Sequence, residues 1–345
     1  MKLGIWTPLP HTIRSEPAME AAIQNAGRRG GDPNADAGLD FATQVVCKAE
    51  QYGFAITLVA ERYLGPDLEA WMLAAALAAR TKTIQIMPAI HPGMVTPQVV
   101  AKMGATLDRI SGGRCAVNVV NGWWKDEFEL FGNGAWLDDE SERYKRMEEF
   151  VRVLRGMWTE DGFSFGGKYY NVEGADLPTK PQQVPCPPIY AASRSDAGKD
   201  VIAKYCDTWF LSYGSDPAQF EANIDGMARD IEDMRRRSAA CKRQVKCGIS
   251  AHVVCADTQE EAQARVDDLV AYGKLGRIPF IAVNGLGAGL FGTPEVIAER
   301  MRRLDSIGID VVMLKFSPML AQLDKFGSEV LPLLRDVSGE FRKIA

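Results

Sequence analysis

Residues 84–120 carry the sequence IQIMPAIHPGMVTPQVVAKMGATLDRISGGRCAVNVV, in which a helical stretch separates two short β-rich stretches. The β-rich stretches are residues 84–89 and 115–120. Between them, Thr96 before Pro97 is typical of a helix start, with a capping hydroxyl followed by a proline in the first turn. A strand, a helix and a second strand in succession favour parallel pairing of the two strands. This stretch therefore predicts one unit of a parallel α/β sheet.

The same alternation continues on both sides of this unit. Six further β-rich stretches alternate with helical stretches, at residues 3–6, 55–59, 189–192, 208–212, 248–255 and 311–315. Eight parallel strands with intervening helices close into a barrel more readily than they stay open. We therefore expect an α/β fold, a (β/α)8 TIM barrel with loop insertions, in one domain over residues 1–345.

Three stretches interrupt the alternation. Residues 14–37 and 274–292 have little periodicity and are rich in glycine. Long segments without regular structure in a compact domain are typically lids or disordered segments. Both segments would join the barrel where a lid can cover its mouth, so we interpret them as mobile loops. A smaller insert at residues 163–171 predicts a β-hairpin around a Gly-Gly pair.

The composition argues against several classes of function. The formal net charge is −5, whereas a nucleic-acid-binding domain usually carries a basic face. No apolar run of about 18 residues occurs, so we expect no membrane-spanning helix. The seven cysteines are odd in number and form no CxxC pair, which favours a reducing compartment over a disulfide framework or a zinc site. We expect a cytoplasmic protein without a metal ion.

Polar residues near the predicted carboxyl ends of the strands are candidates for chemistry, because barrel active sites lie there. Asn118 lies among valines in the fourth strand, either as a satisfied core amide or as a ligand contact. All three histidines, His11, His91 and His252, lie in or near predicted strand ends. Histidine transfers protons near neutral pH, but an isolated histidine also packs or hydrogen-bonds locally. Their spacing matches no metal-binding motif.

Other candidates lie in loops and at helix starts. Ser195 begins a predicted helix after the fifth strand, where a cap and free backbone N–H groups form an anion site, although every barrel helix needs some cap. Arg143 and Tyr144 precede the buried stripe of a long helix and can reach either a ligand or solvent. Trp123 and Trp124 follow the fourth strand, as a core plug or as a wall against a flat ring or an apolar substrate.

Several motifs occur in one order along nearly the whole chain. They are ATLDRISGGR at residues 105–114, NVVNGW at 118–123, Glu127, ERY at 142–144, SRSDAG at 193–198 and FGSEVLPL at 326–333. Together they resemble the bacterial luciferase-like flavin-dependent monooxygenase superfamily. Within it, the sequence is most similar to the two-component group that contains dimethyl sulfone, alkanesulfonate and pyrimidine monooxygenases.

The resemblance implies a flavoprotein that binds FMN. The implied FMN contacts are the backbone of Val59 and Ala60 and the side chains of Asn118, Glu127, Arg143, Tyr144 and Ser195. Ser195 and Tyr144 would hold the phosphate, and Asn118 would lie under the flavin ring, where oxygen reacts. The resemblance also implies O2 as co-substrate, an NAD(P)H:flavin reductase that supplies reduced FMN, and a homo-oligomer, either a dimer or a tetramer.

At the substrate positions the resemblance is mixed. The alkanesulfonate enzymes carry an Arg-x-His pair on strand seven, where this chain has Ser250 and His252. Tyr213 stands at the position of an active-site tryptophan, and Ser317 at that of a tyrosine. Ala89 replaces a threonine that meets oxygen in the pyrimidine enzymes.

We therefore predict an FMNH2-dependent two-component monooxygenase of sulfur metabolism. It would use O2 to oxidise a small organosulfur compound such as a sulfone or sulfonate and to cleave its C–S bond. The catalytic candidates are His252, His91 and Asn118, and the substrate candidates are Tyr213, Trp123, Ser317 and His11. The alternatives are a monooxygenase acting on an N-heterocycle, an F420-dependent hydride-transfer oxidoreductase on the same barrel, and a non-catalytic flavin-binding protein.

Overall fold

The computed structural model describes residues 1–8, 24, 30 and 36–334. In that part of the chain the strands are β1 Lys2–Trp6, β2 Ile56–Val59, β3 Gln85–Ile90, β4 Val117–Val119, β5 Phe163–Gly166, β6 Asn171–Ala175, β7 Ile189–Ala192, β8 Thr208–Phe210, β9 Lys246–Cys255, β10 Phe291–Gly292 and β11 Val311–Phe316.

One or more helices follow each of the eight strands predicted from the sequence. They are α1 Ala37–Gln51, α2 Ala70–Arg80, α3 Pro97–Ser111, α4 Lys125–Leu130, α5 Glu140–Thr159, α6 Asp196–Tyr205, α7 Phe220–Ala240, α8 Gln259–Gly273, α9 Arg277–Val283, α10 Pro294–Ser306, α11 Met319–Lys325 and α12 Leu331–Leu334. Short 3-10 turns at Pro217–Gln219 and Asn284–Ala288 and a π-helical turn at Phe326–Val330 complete the set of described helical elements. None of the described helices combines the length and apolar composition that crossing a membrane requires.

The chain divides into two compact units. The first unit comprises Met1–Ala55, Leu211–Asp233 and Cys247–Ala345, and the second comprises Ile56–Phe210 and Met234–Lys246.

In the first unit, four parallel strands lie side by side in the order β10-β9-β11-β1. Leu314 of β11 pairs with Ile5 of β1, and Lys315 pairs with His252 of β9. Ile5 and Leu314 are fully buried, so one face of these strands lies in an apolar core. Successive residues of a strand point to opposite faces, so Lys315 and His252 lie on the other face.

In the second unit, five parallel strands lie in the order β2-β3-β4-β7-β8. Asn118 in the central strand β4 pairs with Ala89 of β3 and with Tyr190 of β7. The strands β5 and β6 form a separate antiparallel hairpin. The carboxyl ends of the five parallel strands face one edge of the unit, where the loops that follow them meet.

All eight predicted parallel strands are present, with ends that differ by at most two residues from the predicted bounds. The hairpin predicted at residues 163–171 is also confirmed and extends to Ala175. Thr96 precedes α3 as predicted, but its side chain makes no capping hydrogen bond. By contrast, Thr258 does cap α8, since its hydroxyl accepts from the Glu261 N–H at 3.1 Å.

The expectation that residues 274–292 form an irregular loop is wrong. This stretch contains α9, the 3-10 turn Asn284–Ala288 and β10. Its glycines permit close packing rather than mobility: a Cβ on Gly287 would lie 1.8 Å from the carbonyl oxygen of Gly214. Of the segment predicted as a loop at residues 14–37, most lies outside the described residues, as does His11.

Candidate functional site

Two asparagines at the carboxyl end of β4 lie buried in the second unit without complete hydrogen bonding. Asn118 is 7% exposed, and its Oδ1 has no hydrogen-bond partner among the described residues. Asn121 is 8% exposed, and neither atom of its amide has one in that part of the chain. A buried amide without a partner loses the hydrogen bonds that it made with water. These two side chains therefore favour a polar ligand at this strand end, and the sequence interpretation assigned no role to Asn121.

His91 lies directly after β3 and is 1% exposed. Its Nδ1 lies 3.1 Å from the Val120 carbonyl oxygen, and its Nε2 lies 3.4 Å from that of Glu61. Burial lowers the pKa of His91, so the ring is neutral at physiological pH. A neutral imidazole has one N–H, and the shorter contact assigns it to Nδ1. His91 thus connects the residues that follow β2 and β4, and both its nitrogens face backbone carbonyls.

The segment after β2 carries the predicted backbone contacts Val59 and Ala60. Val59 is buried and Ala60 is partly exposed. Glu127 of α4 holds this segment, because its Oε1 accepts from the Leu64 N–H at 3.1 Å. Glu127 is 1% exposed, and burial raises the pKa of its carboxyl group. The structure thus places Glu127 beside the predicted cofactor segment through a backbone contact.

A group of buried charges follows Ala60, and the sequence interpretation did not include it. The Glu61 carboxylate accepts from the Ala70 N–H at 2.9 Å, and burial raises the pKa of Glu61 to about 8. Arg62 and Asp67 form an ion pair at 2.6 Å, with both side chains buried. The Arg62–Asp67 pair lies within the loop between β2 and α2, and the Glu61–Ala70 hydrogen bond ties the start of this loop to the start of α2.

Ser195 lies at the start of α6, as predicted. Its hydroxyl accepts from the Gly198 N–H at 3.3 Å. Ser193 joins this helix start to α5, since its hydroxyl donates to the Tyr144 hydroxyl at 2.7 Å. A Cβ on Gly198 would lie 2.1 Å from Ser193 Oγ and 2.4 Å from Tyr144 Cε1, so only glycine fits there. Hydroxyls and helix N–H groups that converge in this way suit an oxyanion.

Three other residues singled out in the sequence, Arg143, Trp123 and Trp124, contact neighbouring groups. The Arg143 guanidinium donates to the carbonyl oxygens of Leu137 at 2.6 Å and Asp138 at 3.2 Å, and it lies 4.6 Å from the centre of the Trp136 ring. The rings of Trp123 and Trp124 contact each other, with centres 5.3 Å apart.

In the first unit lie the predicted catalytic residue His252 and the predicted substrate residue Tyr213, which follows β8. His252 of β9 is 2% exposed. The Tyr213 hydroxyl donates to the Ser250 carbonyl oxygen and faces that of Gly285 at 3.3 Å, and burial raises the pKa of Tyr213 far above its usual value.

Ser317 follows β11 and lines a different part of the same unit. It borders a cavity of about 800 Å³ between α8 and α11, together with Asp257, Arg265 and Gln322. The described residues therefore place Ser317 beside charged helix side chains.

Comparison with known proteins identifies the class of this chain. The family model for luciferase-like monooxygenases matches residues 19–311. An FMNH2-dependent dimethylsulfone monooxygenase of Pseudomonas putida is 34% identical over 88% of this chain and 90% of its own length. Its counterpart in Pseudomonas fluorescens (strain Pf0-1) is 32% identical over the same shares of the two chains. The chain belongs to the luciferase-like monooxygenase family and is a flavin-dependent monooxygenase.

The fold of this family is shared with solved structures. The crystal structure of the long-chain alkane monooxygenase LadA matches with a TM-score of 0.76, at 20% identity, over 99% of this chain and 92% of that one. This likeness confirms the predicted (β/α)8 barrel fold.

Proposed function

We propose that this chain is the oxygenating component of a two-component system that uses reduced FMN and O2 to oxidise a small organosulfur compound. The observation that carries the proposal is the similarity over 88% of the chain to a dimethylsulfone monooxygenase that depends on FMNH2. A separate NAD(P)H:flavin reductase supplies the reduced flavin, and the protein assembles as a dimer or tetramer.

The described residues of the second unit fit FMN. The start of α6 with Ser195, Ser193 and Tyr144 offers hydroxyls and N–H groups to the phosphate. The buried amides of Asn118 and Asn121 can donate to and accept from the polar edge of the flavin ring. When bound, reduced FMN would supply the two electrons with which O2 yields one oxygen atom for the substrate and one for water.

The residues of the chain would bind, orient and protect the reactants. Oxidation of the carbon beside a sulfone sulfur gives a hydroxyl on that carbon. As the hydroxyl loses its proton and the C–S bond breaks, the products are an aldehyde and a sulfinate. A base is required for that proton, and we assign it to His252. The other candidate, His91, has both ring nitrogens against backbone carbonyls.

The substrate class is tested by product analysis. The protein is supplied with reduced FMN, O2 and a panel of sulfones, sulfonates and N-heterocycles, and products are identified by mass spectrometry. We expect an aldehyde with a sulfinate from a sulfone, or with sulfite from a sulfonate. Products only from N-heterocycles would assign the enzyme to that substrate class instead. Tight FMN binding without any product would favour the non-catalytic alternative. Reduction of substrate by F420 without O2 would support the hydride-transfer alternative.

The role of His252 is tested separately. We expect His252→Ala to lower kcat by about 100-fold, the size of a general acid–base contribution, while FMN affinity changes little. His252→Asn should restore little, because an amide hydrogen-bonds but does not carry the proton. Steady-state kinetics are combined with thermal unfolding of each variant. A lower melting temperature with normal turnover per folded molecule would instead assign His252 to the core.

A further inference from the structure

A lysine side chain lies on the non-core face of the first unit's strands, next to two of the polar residues already described. Lys315 of β11 pairs with His252 of β9. On the other side its ammonium lies 4.3 Å from the centre of the Trp6 ring at the end of β1. The Trp6 indole N–H in turn donates to the Ser250 hydroxyl at 2.9 Å. Trp6, Lys315 and His252 therefore form one row at the carboxyl ends of three adjacent parallel strands.

The carboxyl ends of parallel strands are where barrel enzymes bind their substrates. A cation in this row is notable because charged groups are costly to remove from water unless acceptors or counter-charges surround them. Lys315 is partly buried, and its ammonium carries three N–H donors. The His252 imidazole and the Trp6 indole lie in the same row. The row therefore offers a positive charge, hydrogen-bond donors and a flat apolar surface within one unit.

The same ammonium is also attached to the segment that follows α8. It donates to the Ile281 carbonyl oxygen at 2.8 Å and faces Asn284 Oδ1 at 3.5 Å. The second distance is at the limit of a hydrogen bond, so this contact is weak. A charged oxygen that replaced Asn284 Oδ1 would make a shorter and stronger bond, because both partners would then be ionised.

We propose that Lys315 is the specificity-determining residue that binds a negatively charged oxygen of the substrate. The oxygen takes the place of Asn284 Oδ1, and the Trp6 ring packs against the apolar part of the same molecule. The preferred substrates are then anionic organosulfur compounds rather than neutral ones. This inference rests on the proposed function and assigns the substrate class within it.

Two compounds of nearly equal shape test the charge preference: ethanesulfonate and ethyl methyl sulfone, which differ by a charged oxygen in place of a methyl group. Lys315→Met should lower kcat/KM for ethanesulfonate by about 10-fold or more through KM, the effect of losing one charge-assisted hydrogen bond. For the neutral sulfone it should change kcat/KM by less than about 3-fold. Lys2→Met removes an exposed lysine of the same unit, at the amino end of β1, and serves as the control.

A lysine that only fastens α9 would give another result. Lys315→Met would then lower kcat/KM for both compounds by the same factor, and that outcome overturns the proposal. Should Lys315→Met not fold, Lys315→Arg carries the test, because it keeps the charge. We expect Lys315→Arg to retain a higher kcat/KM for ethanesulfonate than for ethyl methyl sulfone. Equal kcat/KM values for the two compounds would again overturn the proposal.

Binding without turnover separates this inference from the proposed function. Ethanesulfonate and ethyl methyl sulfone are titrated into the flavin-free protein by calorimetry. Binding of the anion that Lys315→Met abolishes and Lys2→Met preserves supports the row as an anion site, even when no organosulfur compound is oxidised. Equal affinity of wild type and Lys315→Met for ethanesulfonate would refute it, whatever the turnover assays give.

Discussion

Asp108 and Arg114 make structural hydrogen bonds that give the motif ATLDRISGGR at residues 105–114 a role in stability. This motif contributed strongly to the family resemblance. The fully buried Asp108 carboxylate accepts from the N–H groups of Gln182 at 2.6 Å and Gln183 at 2.8 Å. Arg114 donates to the Ile84 carbonyl oxygen at 2.7 Å, just before β3 begins. These contacts lie before the amino ends of β3 and β4, where barrel residues typically serve stability rather than catalysis.

Asp108→Asn should therefore reduce stability and leave chemistry intact. An asparagine directs its NH2 group at N–H donors that Asp108 now satisfies, so we expect the free energy of unfolding to fall by about 2–4 kcal/mol. Denaturant unfolding measures this change, and Glu140→Gln, at the exposed start of α5, is the control. An unchanged unfolding midpoint, or lost turnover per folded molecule, would contradict the structural role.

Ser195 lies at the start of α6, as predicted from the sequence, and its contact with the FMN phosphate stays a prediction. Ser195→Ala should weaken FMN binding by about 1–3 kcal/mol, because a hydrogen bond to a charged phosphate is lost. Fluorescence titration of FMN measures the affinity. Thr258→Ala removes a similar cap from α8 and separates the loss of a helix cap from the loss of a ligand contact. Equal FMN affinity in wild type and Ser195→Ala would remove Ser195 from the site.

At the scale of elements, the segment between α8 and α10 consists of two parts. The turn Asn284–Ala288 is anchored, because the Asn223 side chain donates to the Gly287 carbonyl oxygen at 2.8 Å and Leu286 is buried. The part around α9 is more open, since Leu275 is 76% exposed and Phe280 is 48% exposed. We propose that any lid motion is confined to the α9 part.

Hydrogen exchange tests this division. Amides of residues 285–291 should be protected with or without ligands, because their close packing limits local opening. Amides of residues 274–281 should gain protection when flavin and substrate bind. Strong and equal protection of residues 274–281 in both states would show that the whole segment is a fixed structural insert. Fast exchange in residues 285–291 without ligands would instead support a mobile lid over all of residues 274–292.

At the scale of the whole molecule, buried carboxyl groups make stability depend on pH. Burial raises the pKa of Glu61 from 4.5 to about 8. The folded state therefore favours the protonated form, and this contribution is complete below the unfolded pKa and is lost as the pH rises through about 8.

Glu61→Gln should remove this part of the pH dependence. The amide keeps an acceptor for the Ala70 N–H and carries no charge at any pH. We expect the decline in unfolding free energy between pH 4.5 and about 8 to become shallower by an amount of the order of a few kcal/mol, since one pKa unit corresponds to about 1.4 kcal/mol. Unfolding midpoints across this pH range measure it, and identical profiles for both proteins would place the titration elsewhere.

The sequence by itself determined the order and kind of the elements. The eight parallel strands and the hairpin follow from short-range patterns, because period-2 and period-3.6 burial act within a few residues. The motif at Ser195 was likewise local, since a helix start and its cap adjoin in the chain. That the chain forms one domain stays a prediction.

Only the tertiary structure decided which side chains meet and which are buried. Asn118 pairs with strands distant in sequence, β3 and β7, and its buried Oδ1 has no partner among the described residues. The pKa of Glu61 depends on desolvation by the fold around it. Lys315 reaches Trp6 across 309 positions of sequence separation, from residue 315 back to residue 6, because β11 pairs with β1. Glycines at residues 285–289 suggested a loop, but in the folded chain they permit close approach of backbones. Burial and long-range contact are properties of the packed chain, so no local pattern contains them.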